Sequence, residues 1–281
     1  MICVKNLRFG YINRPFIENM SFDVKKGEIF GFLGPSGTGK STLQKILTGL
    51  LMNYQGSVKV NGIEVKNRNK SFYEDIGVDF EFPSLYEKLT ARENLAFFAS
   101  LYKKSLDADE LLKSVGLQQD ADKRVSDFSK GMKSRLNFIK ALIHDPKLLF
   151  LDEPTSGLDP SNARRMKDII LKQKALGKTI VLTTHNMYDA TELCDRVAFI
   201  VDGSLRALDT PHNLIMAKGA STIRYTYLRD GKEKHREVAI NRTGEDELLQ
   251  KLLKENRLLS IHSSEPTLNE IFVEITGRRL E

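Results

Sequence analysis

The stretch Gly34-Pro35-Ser36-Gly37-Thr38-Gly39-Lys40-Ser41-Thr42 decides the fold of this chain. It fits the pattern Gly-x-x-x-x-Gly-Lys-Ser, in which glycines let successive backbone N–H groups surround phosphate oxygens. In that pattern Lys40 reaches the β- and γ-phosphates and the Ser41 hydroxyl binds Mg²⁺. The alternative is a glycine-rich turn that matches by chance. The stretch therefore predicts a nucleotide site.

The residues on either side of this loop support the prediction. Glu28–Leu33 is apolar enough to be a buried strand that enters the loop. Leu43, Ile46, Leu47 and Leu50 follow at the spacing of one helix face. A helix that starts here would direct its positive N-terminus at the phosphates. A strand, a phosphate loop and a helix in this order make a chance match uncommon.

Composition is that of an ordinary globular protein. The 281 residues are 41% hydrophobic and 28% charged, with a mean hydropathy of −0.32. No apolar run approaches the ~20 residues that span a bilayer, and no secretory signal is visible. Cys3 and Cys194 lie far apart, and the five histidines form no ligand cluster. We therefore expect a cytoplasmic protein from a reducing compartment.

The net charge of +6 and the isoelectric point of about 9.1 allow three interpretations. Solvated surface lysines are favoured, because lysine and arginine are dispersed along the chain. Attraction to an anionic membrane surface comes second and nucleic acid a distant third. No nucleic-acid partner is expected.

The order of predicted elements indicates a mixed fold. Alternating apolar residues predict β-structure over residues 1–24, with Tyr11 in a loop between two strands. Ser57–Val60 and the turn Asn61-Gly62 predict another short strand. Residues 84–145 favour helices, which we interpret as an insertion between sheet elements.

Later in the chain the strand pattern returns. Leu148–Leu151 and Thr179–Thr183 are continuous apolar runs, typical of central strands buried on both faces. From about residue 215 a small unit follows, and Pro266 is predicted to open its last helix. We expect an α/β fold: a phosphate-loop NTPase core with an antiparallel β subdomain, the helical insertion and a small C-terminal α+β unit. The predicted domains are 1–212 and 213–281.

Two carboxylates follow the first of these runs. Asp152 and Glu153 come at the carboxyl end of a predicted buried strand, where α/β sheets hold their ligands. There Asp152 would hold Mg²⁺ through water, and Glu153 would accept a proton from the attacking water. A surface acidic pair that starts a turn before Pro154 is the alternative.

Two further polar positions complete the candidate set. His185 follows the strand Thr179–Thr183 and would donate to the γ-phosphate from the same sheet edge. Ser129 and Gly131 precede a predicted helix, whose N-terminus is a second potential anion site. Local chemistry alone favours a plain helix cap at Ser129.

Together these motifs resemble those of the ATP-binding-cassette (ABC) ATPases over roughly residues 1–210. The matching segments are the Walker A loop Gly34–Thr42, the Walker B motif Leu148–Glu153, the signature Phe128–Met132 and the D-loop Ser156–Asp159. His185 matches the switch histidine, and Tyr11 matches the aromatic residue that stacks on adenine.

The resemblance implies ATP and Mg²⁺ as ligands and a head-to-tail dimer that holds two ATP molecules. It implies nucleotide contacts from Tyr11 and from Gly34, Pro35, Ser36, Gly37, Thr38, Gly39, Lys40, Ser41 and Thr42. The implied metal site is Ser41, Glu81 and Asp152; the implied catalytic residues are Glu153, His185 and Lys40; the signature from the partner copy is Ser129, Lys130 and Gly131.

Two departures from the family pattern stand out. The usual Leu-Ser-Gly-Gly-Gln signature here has Lys130 and Met132, as in the branch that serves drug, antibiotic and bacteriocin exporters. The usual Q-loop glutamine is Glu81, which adds a negative charge near phosphate and metal. A glutamate at this position resembles the pattern of the lantibiotic-immunity exporters, which we keep as a minority option. The alternative is that Glu81 is a neutral variant.

The resemblance implies the ATP-hydrolysing subunit of an exporter for a drug-like, antibiotic or peptide substrate. A separate membrane permease would dock near residues 82–93 and hold the chain at the inner face of the membrane. The alternative is a non-transport ABC ATPase that acts on ribosomes or DNA. A non-hydrolysing regulatory cassette is disfavoured because Lys40, Asp152, Glu153 and His185 are all present.

Overall fold

The computed structural model describes residues 1–11, 14–217, 219 and 222–278. Its strands are β1 (Ile2–Tyr11), β2 (Arg14–Val24), β3 (Ile29–Leu33), β4 (Gln55–Val60), β5 (Ile63–Glu64), β6 (Ile76–Asp79), β7 (Leu148–Asp152), β8 (Thr179–Thr184), β9 (Arg196–Val201), β10 (Ser204–Asp209), β11 (Thr222–Arg229), β12 (Lys232–Ala239) and β13 (Leu258–Ser264). Its α-helices are α1 (Lys40–Leu47), α2 (Lys70–Glu74), α3 (Ala91–Ala99), α4 (Ala108–Ser114), α5 (Lys130–Leu142), α6 (Pro160–Ala175), α7 (Met187–Leu193), α8 (Pro211–Met216), α9 (Glu247–Lys254) and α10 (Leu268–Thr276). No described helix is long and apolar enough to cross a membrane.

An antiparallel sheet forms the start of the chain, in the order β2-β1-β4-β5. The predicted turn between β4 and β5 is confirmed, since Asn61 and Gly62 both have positive φ, 52° and 81°. The predicted position of Tyr11 is wrong: it is the last residue of β1, paired with Arg14, rather than part of a loop. The antiparallel ladder with β2 extends through Tyr11, beyond the residues whose apolar alternation predicted the strand.

A six-stranded sheet in the order β10-β9-β3-β8-β7-β6 holds the central strands. The neighbours from β9 to β6 pair in parallel, and every residue of β3, β7 and β8 is buried. Parallel strands end at one common edge, so the loops after β3, β6, β7 and β8 meet there. Strand β6 was not identified from the sequence, because it has only four residues. The α/β fold class is confirmed.

Helix α1 packs its apolar stripe into the core beneath the antiparallel sheet. Leu43, Ile46 and Leu47 are fully buried, and truncating one such side chain to alanine typically costs ~2–5 kcal/mol. The prediction for Leu50 is wrong. The helix ends at Leu47, and Gly49 has a φ of 77°, so Leu50 turns away and is 58% exposed.

The helical region between β6 and β7 begins with a reciprocal cap. The Thr90 hydroxyl accepts from the Glu93 N–H, and the Glu93 carboxylate accepts from the Thr90 N–H. Helices α3, α4 and α5 follow, so the insertion has the predicted helical character. Helix α5 leads back into the parallel sheet at β7.

A second compact unit begins at Asp209, a few residues before the predicted boundary at 212/213. Its sheet has the order β12-β11-β13, and Tyr225 packs against Leu249 and Leu252 of α9. The prediction that Pro266 opens the last helix is wrong. Thr267 is the N-cap, because its hydroxyl and the Glu270 carboxylate form a capping box.

Candidate active site

The phosphate loop joins β3 to α1, and its glycines occupy conformations that side chains resist. Gly37 and Gly39 have φ values of 78° and 111°, and a Cβ on Gly34 would lie 2.2 Å from the Ile200 carbonyl oxygen. Helix α1 begins at Lys40, so its free N–H groups face the loop. The backbone here is suited to surround an anion.

Lys40 places its ammonium group inside this loop. Its Nζ donates to the carbonyl oxygens of Gly34 and Pro35 at 2.7 and 3.0 Å. Burial lowers the pKa of Lys40, although three carboxylates across the cleft oppose that shift, Glu153, Asp152 and Glu81. The cation therefore lies between the loop and a group of acidic side chains.

Asp152 ends β7 beside the phosphate loop. The Ser41 hydroxyl lies 3.5 Å from Asp152 Oδ1, and the Thr183 hydroxyl on β8 also donates to that oxygen. Asp152 and Thr183 are register partners in the parallel ladder, so the sheet itself orients the carboxylate. Hydroxyl and carboxylate oxygens are the hard ligands that Mg²⁺ prefers, so these residues fit that ion.

Glu153 turns sharply out of the strand. Its φ is 52°, its N–H donates to the Thr183 carbonyl at 3.1 Å, and its carboxylate lies 2.9 Å from His185 Nδ1. Burial raises the pKa of the Glu153 carboxyl, while His185 and Lys40 act in the opposite direction. A carboxylate with a raised pKa is a better proton acceptor than an ordinary surface glutamate.

One cleft of about 240 Å³ brings these groups together. Its lining residues are Phe16, Ser36, Gly37, Gly39, Lys40, Ser41, Thr42, Glu81, Asp152, Glu153, Ser156 and His185. The residues predicted after β3, β6, β7 and β8 thus lie at one site. Metal-ligand clusters of three or more His, Cys, Asp or Glu do not occur in the described part of the chain.

Two aromatic residues lie at one side of this cleft. Phe16 lines it and was missed from the sequence, because a phenylalanine in β2 has no signal other than core packing. Tyr11 does not line the cleft, but its hydroxyl lies 3.0 Å from the Thr42 hydroxyl and its ring packs edge-on to Phe16.

The signature residues lie outside the cleft lining. Ser129 is the N-cap of α5 and accepts from the Met132 N–H at 3.2 Å, as a plain cap does. A Cβ on Gly131 would contact Leu158 of the D-loop at 3.5 Å. Ser129, Lys130 and Gly131 therefore lie beside the D-loop and leave the cleft of their own chain open.

Comparisons with known proteins agree with this geometry. The ABC transporter family model matches residues 17–156, which contain the phosphate loop and Asp152. A fluoroquinolones export ATP-binding protein of Mycobacterium tuberculosis is 49% identical, over 100% of this chain and 94% of that protein. The chain belongs to the ABC transporter family. The linearmycin resistance ATP-binding protein of Bacillus subtilis is 31% identical, over 100% of this chain and 99% of that protein.

Solved ABC structures share the fold. An ATP-binding subunit of an ABC transporter superposes with a TM-score of 0.72 at 31% identity, over 78% of this chain and 93% of that one. A dimeric ATP-binding cassette in a post-hydrolysis state with ADP and Pi gives 0.69 at 26%, over 75% and 98%. This ABC chain is an ATP-binding and ATP-hydrolysing transporter subunit, and the ribosome or DNA alternative gains no support.

Proposed function

We propose that this ABC ATPase hydrolyses ATP in the cleft between the phosphate loop and the Asp152–Glu153 pair, and thereby energises export through a separate permease. The single observation that carries the proposal is the contact between Glu153 and His185, 2.9 Å apart at the cleft that also holds Lys40. A base, its hydrogen-bond partner and a phosphate-binding cation in one cleft are the parts that hydrolysis requires.

Each side chain then has a role that its position supports. Lys40 moves its ammonium from the loop carbonyls to the β- and γ-phosphates. Glu153 Oε1 accepts the proton of the attacking water, and His185 orients that carboxylate and donates to the γ-phosphate. Burial keeps bulk water away from Glu153 and raises its pKa toward the operating pH.

Ser41, Asp152 and Glu81 would hold Mg²⁺, with Asp152 acting through water. When bound, Mg²⁺ neutralises charge that develops on the phosphate oxygens. Thr183 keeps the Asp152 carboxylate aimed at Ser41. Tyr11 would stack on the adenine, supported by its contact with Phe16 at the cleft.

A second copy of the chain would complete each site. The support is that Ser129 and Gly131 are absent from the residues that line the cleft of their own chain. The N-terminal end of α5, which Ser129 caps, is the positive end of the helix dipole and would suit a γ-phosphate held by the partner copy. One solved relative is itself described as a dimer with ADP and Pi.

The permease would dock at the helical region and hold the chain at the inner face of the membrane. Phe82 is 80% exposed, and Tyr86, 49% exposed, packs against the 40% exposed Phe97, so exposed aromatic rings cluster here. Beside them is a groove of about 250 Å³, lined partly by Phe80, Ser84 and Phe98. An aromatic surface of this kind suits an apolar segment of a partner.

The substrate is proposed from the relatives. One is named for fluoroquinolone export and another for linearmycin resistance, and both align over the whole chain. We propose a drug-like or antibiotic substrate, and peptides such as lantibiotics remain the minority option. A fluoroquinolone is the first compound to test.

The test uses the full chain reconstituted in proteoliposomes with the permease encoded beside it in the genome. ATP hydrolysis is measured with the permease, with ribosomes and with duplex DNA added separately, alongside ATP-dependent movement of a fluoroquinolone. We expect the permease, but neither ribosomes nor DNA, to stimulate hydrolysis. Lys40→Ala should lower the rate of ATP hydrolysis by on the order of 100-fold. Stimulation by ribosomes or DNA instead would contradict the proposal.

A further inference from the structure

A buried amide on α5 holds both ends of the segment Phe80–Ser84, here called the Glu81 loop. Asn137 Nδ2 donates to the Asp79 carboxylate and, at 3.1 Å, to the Phe80 carbonyl oxygen. Asn137 Oδ1 accepts from the Ser84 N–H at 3.3 Å. Because these two backbone groups flank Glu81, a single side chain closes the loop that carries it.

Lys140 completes this set of contacts one turn further along α5. Its Nζ donates to Asn137 Oδ1 at 2.6 Å and to the Ser84 carbonyl at 3.3 Å, and it lies 5.0 Å from the centre of the Phe98 ring. The Asn137 amide thereby uses two donors and two acceptor positions, its full capacity. A fully bonded amide cannot rotate without losing several bonds at once.

The orientation of this amide follows from the chemistry of its partners. The Asp79 carboxylate and the Phe80 carbonyl accept on one side, while the Ser84 N–H and the Lys140 ammonium donate on the other. Asp79 is only 5% exposed, and a buried carboxylate is costly unless it is hydrogen-bonded. Asp79 and Lys140 therefore fix the amide with its nitrogen toward the Phe80 carbonyl and its oxygen toward the Ser84 N–H.

We propose that Asn137, oriented by Asp79 and Lys140, is a positioning residue that holds Glu81 in the Mg²⁺–ATP cleft. This rests on the proposed function, because Glu81 serves the metal site only if ATP binds there. Asn137 touches neither nucleotide nor metal in this scheme. Its role is to tie the Glu81 loop to α5, the helix that begins next to Ser129.

Asn94 provides a matched control from the same helical region. It is fully buried, its Nδ2 donates to the Tyr86 and Thr90 carbonyls at 3.0 and 2.9 Å, and its Oδ1 accepts from the Tyr86 N–H at 2.8 Å. It closes a loop as Asn137 does, but neither Tyr86 nor Thr90 lines the cleft. Asn94→Ala thus removes an equivalent contact at another place.

The first measurement is hydrogen–deuterium exchange of the full chain without Mg²⁺ or nucleotide. Asn137→Ala should speed exchange of the Ser84 N–H about tenfold, whereas Asn94→Ala should speed exchange of the Tyr86 N–H instead. Unchanged exchange at Ser84 in Asn137→Ala would show that the amide does not hold the loop, and would overturn the proposal.

The second measurement is the affinity for ATP by calorimetry, with and without Mg²⁺. The gain in affinity on adding Mg²⁺ should fall about tenfold in Asn137→Ala and stay at the wild-type value in Asn94→Ala. In a Glu81→Ala background, Asn137→Ala should cause no further fall, because the residue acts through Glu81. An equal fall in both backgrounds would overturn the proposal. The absence of any fall in the otherwise wild-type chain would overturn it too.

Failure of the proposed site gives a different result, since the wild-type chain would then show no gain in ATP affinity on adding Mg²⁺. If Asn137→Ala does not fold, Lys140→Met retains the apolar stem beside Phe98 and removes two of the bonds. It should change Ser84 exchange and the Mg²⁺ gain in the same directions by smaller factors. Wild-type values for both quantities would contradict the proposal.

Discussion

The Nδ1 atom of His185 lies 2.9 Å from Oε1 of Glu153, although 32 residues separate the two in the chain. One residue follows β8 and the other follows β7, and these strands are neighbours in the parallel sheet. The sheet therefore brings the proposed base and its proposed orienting partner together from two separate loops. Glu153 holds this position with a φ of 52°, a strained conformation for a residue other than glycine.

Replacing the proposed base, Glu153, tests this pair most directly. Glu153→Gln should retain ATP binding, lower hydrolysis by at least on the order of 100-fold, and accumulate an ATP-bound dimer, because the amide cannot accept the proton. Phosphate release, nucleotide binding and light scattering measure the three quantities. Glu110→Gln, exposed on α4, is the control and should match the wild type. Normal hydrolysis in Glu153→Gln would exclude Glu153 as the base.

The residue that departs from the family pattern can be tested by restoring the glutamine. Glu81→Gln removes a negative charge at the cleft that faces Lys40 and Asp152. We expect the Mg²⁺ concentration for half-maximal hydrolysis, or the stimulation by the permease, to change by a few-fold. Identical values in both assays would support the neutral-variant interpretation.

The aromatic residues beside the cleft should set the affinity for the base of the nucleotide. Tyr11→Ala should weaken ATP binding by ~1–3 kcal/mol if its ring stacks on adenine, and should weaken tripolyphosphate binding much less. Phe16→Ala tests whether Phe16 supports the Tyr11 ring, because it removes this contact and leaves in place the ring that would stack on adenine. Equal losses for ATP and tripolyphosphate in Tyr11→Ala would argue against stacking. Calorimetry measures both affinities.

His144 should make the stability of the chain depend on pH. Its ring stacks on Tyr102 and its Nε2 bonds the Ile76 carbonyl at 2.9 Å, and burial lowers its pKa below the usual 6.5. Below about pH 6.5 the unfolded chain binds a proton that the folded chain resists, so the free energy of unfolding falls as the pH drops.

Urea unfolding at a series of pH values measures this effect. His144→Phe should flatten the dependence between pH 7 and 5 by up to ~1.4 kcal/mol per pH unit. His212→Phe, at an exposed position of α8, is the comparison substitution. An unchanged slope in His144→Phe would mean that His144 charges freely in the folded chain.

The local elements were predicted from sequence because their determinants lie within a few residues of one another. The phosphate loop needs glycine at Gly37 and Gly39, and the turn Asn61-Gly62 needs residues that tolerate positive φ. The apolar runs that became β7 and β8 are continuous because both faces are buried. The errors at Tyr11, Leu50 and Pro266 are at element ends, where caps and strand pairing compete.

The order of the strands in the sheet and the contacts between distant elements were not predicted from the sequence. The order β9-β3-β8-β7-β6 is what brings Glu81, Glu153 and His185 to one edge, and that ladder order does not follow from any local pattern. The sequence around Phe16 predicts only a buried position in its strand. In the sequence Asn137 is an ordinary polar position on a helix, and only the folded structure places Phe80 and Ser84 in contact with it.

The sequence by itself thus determined the phosphate loop and the carboxylate pair after a buried strand, and from them predicted which residues carry the chemistry, because these features depend on short-range geometry. Only the tertiary structure decided which of them share a cleft and what holds them there. The physical reason is that strand order and helix packing are set by hydrogen bonds and burial between residues far apart in the chain.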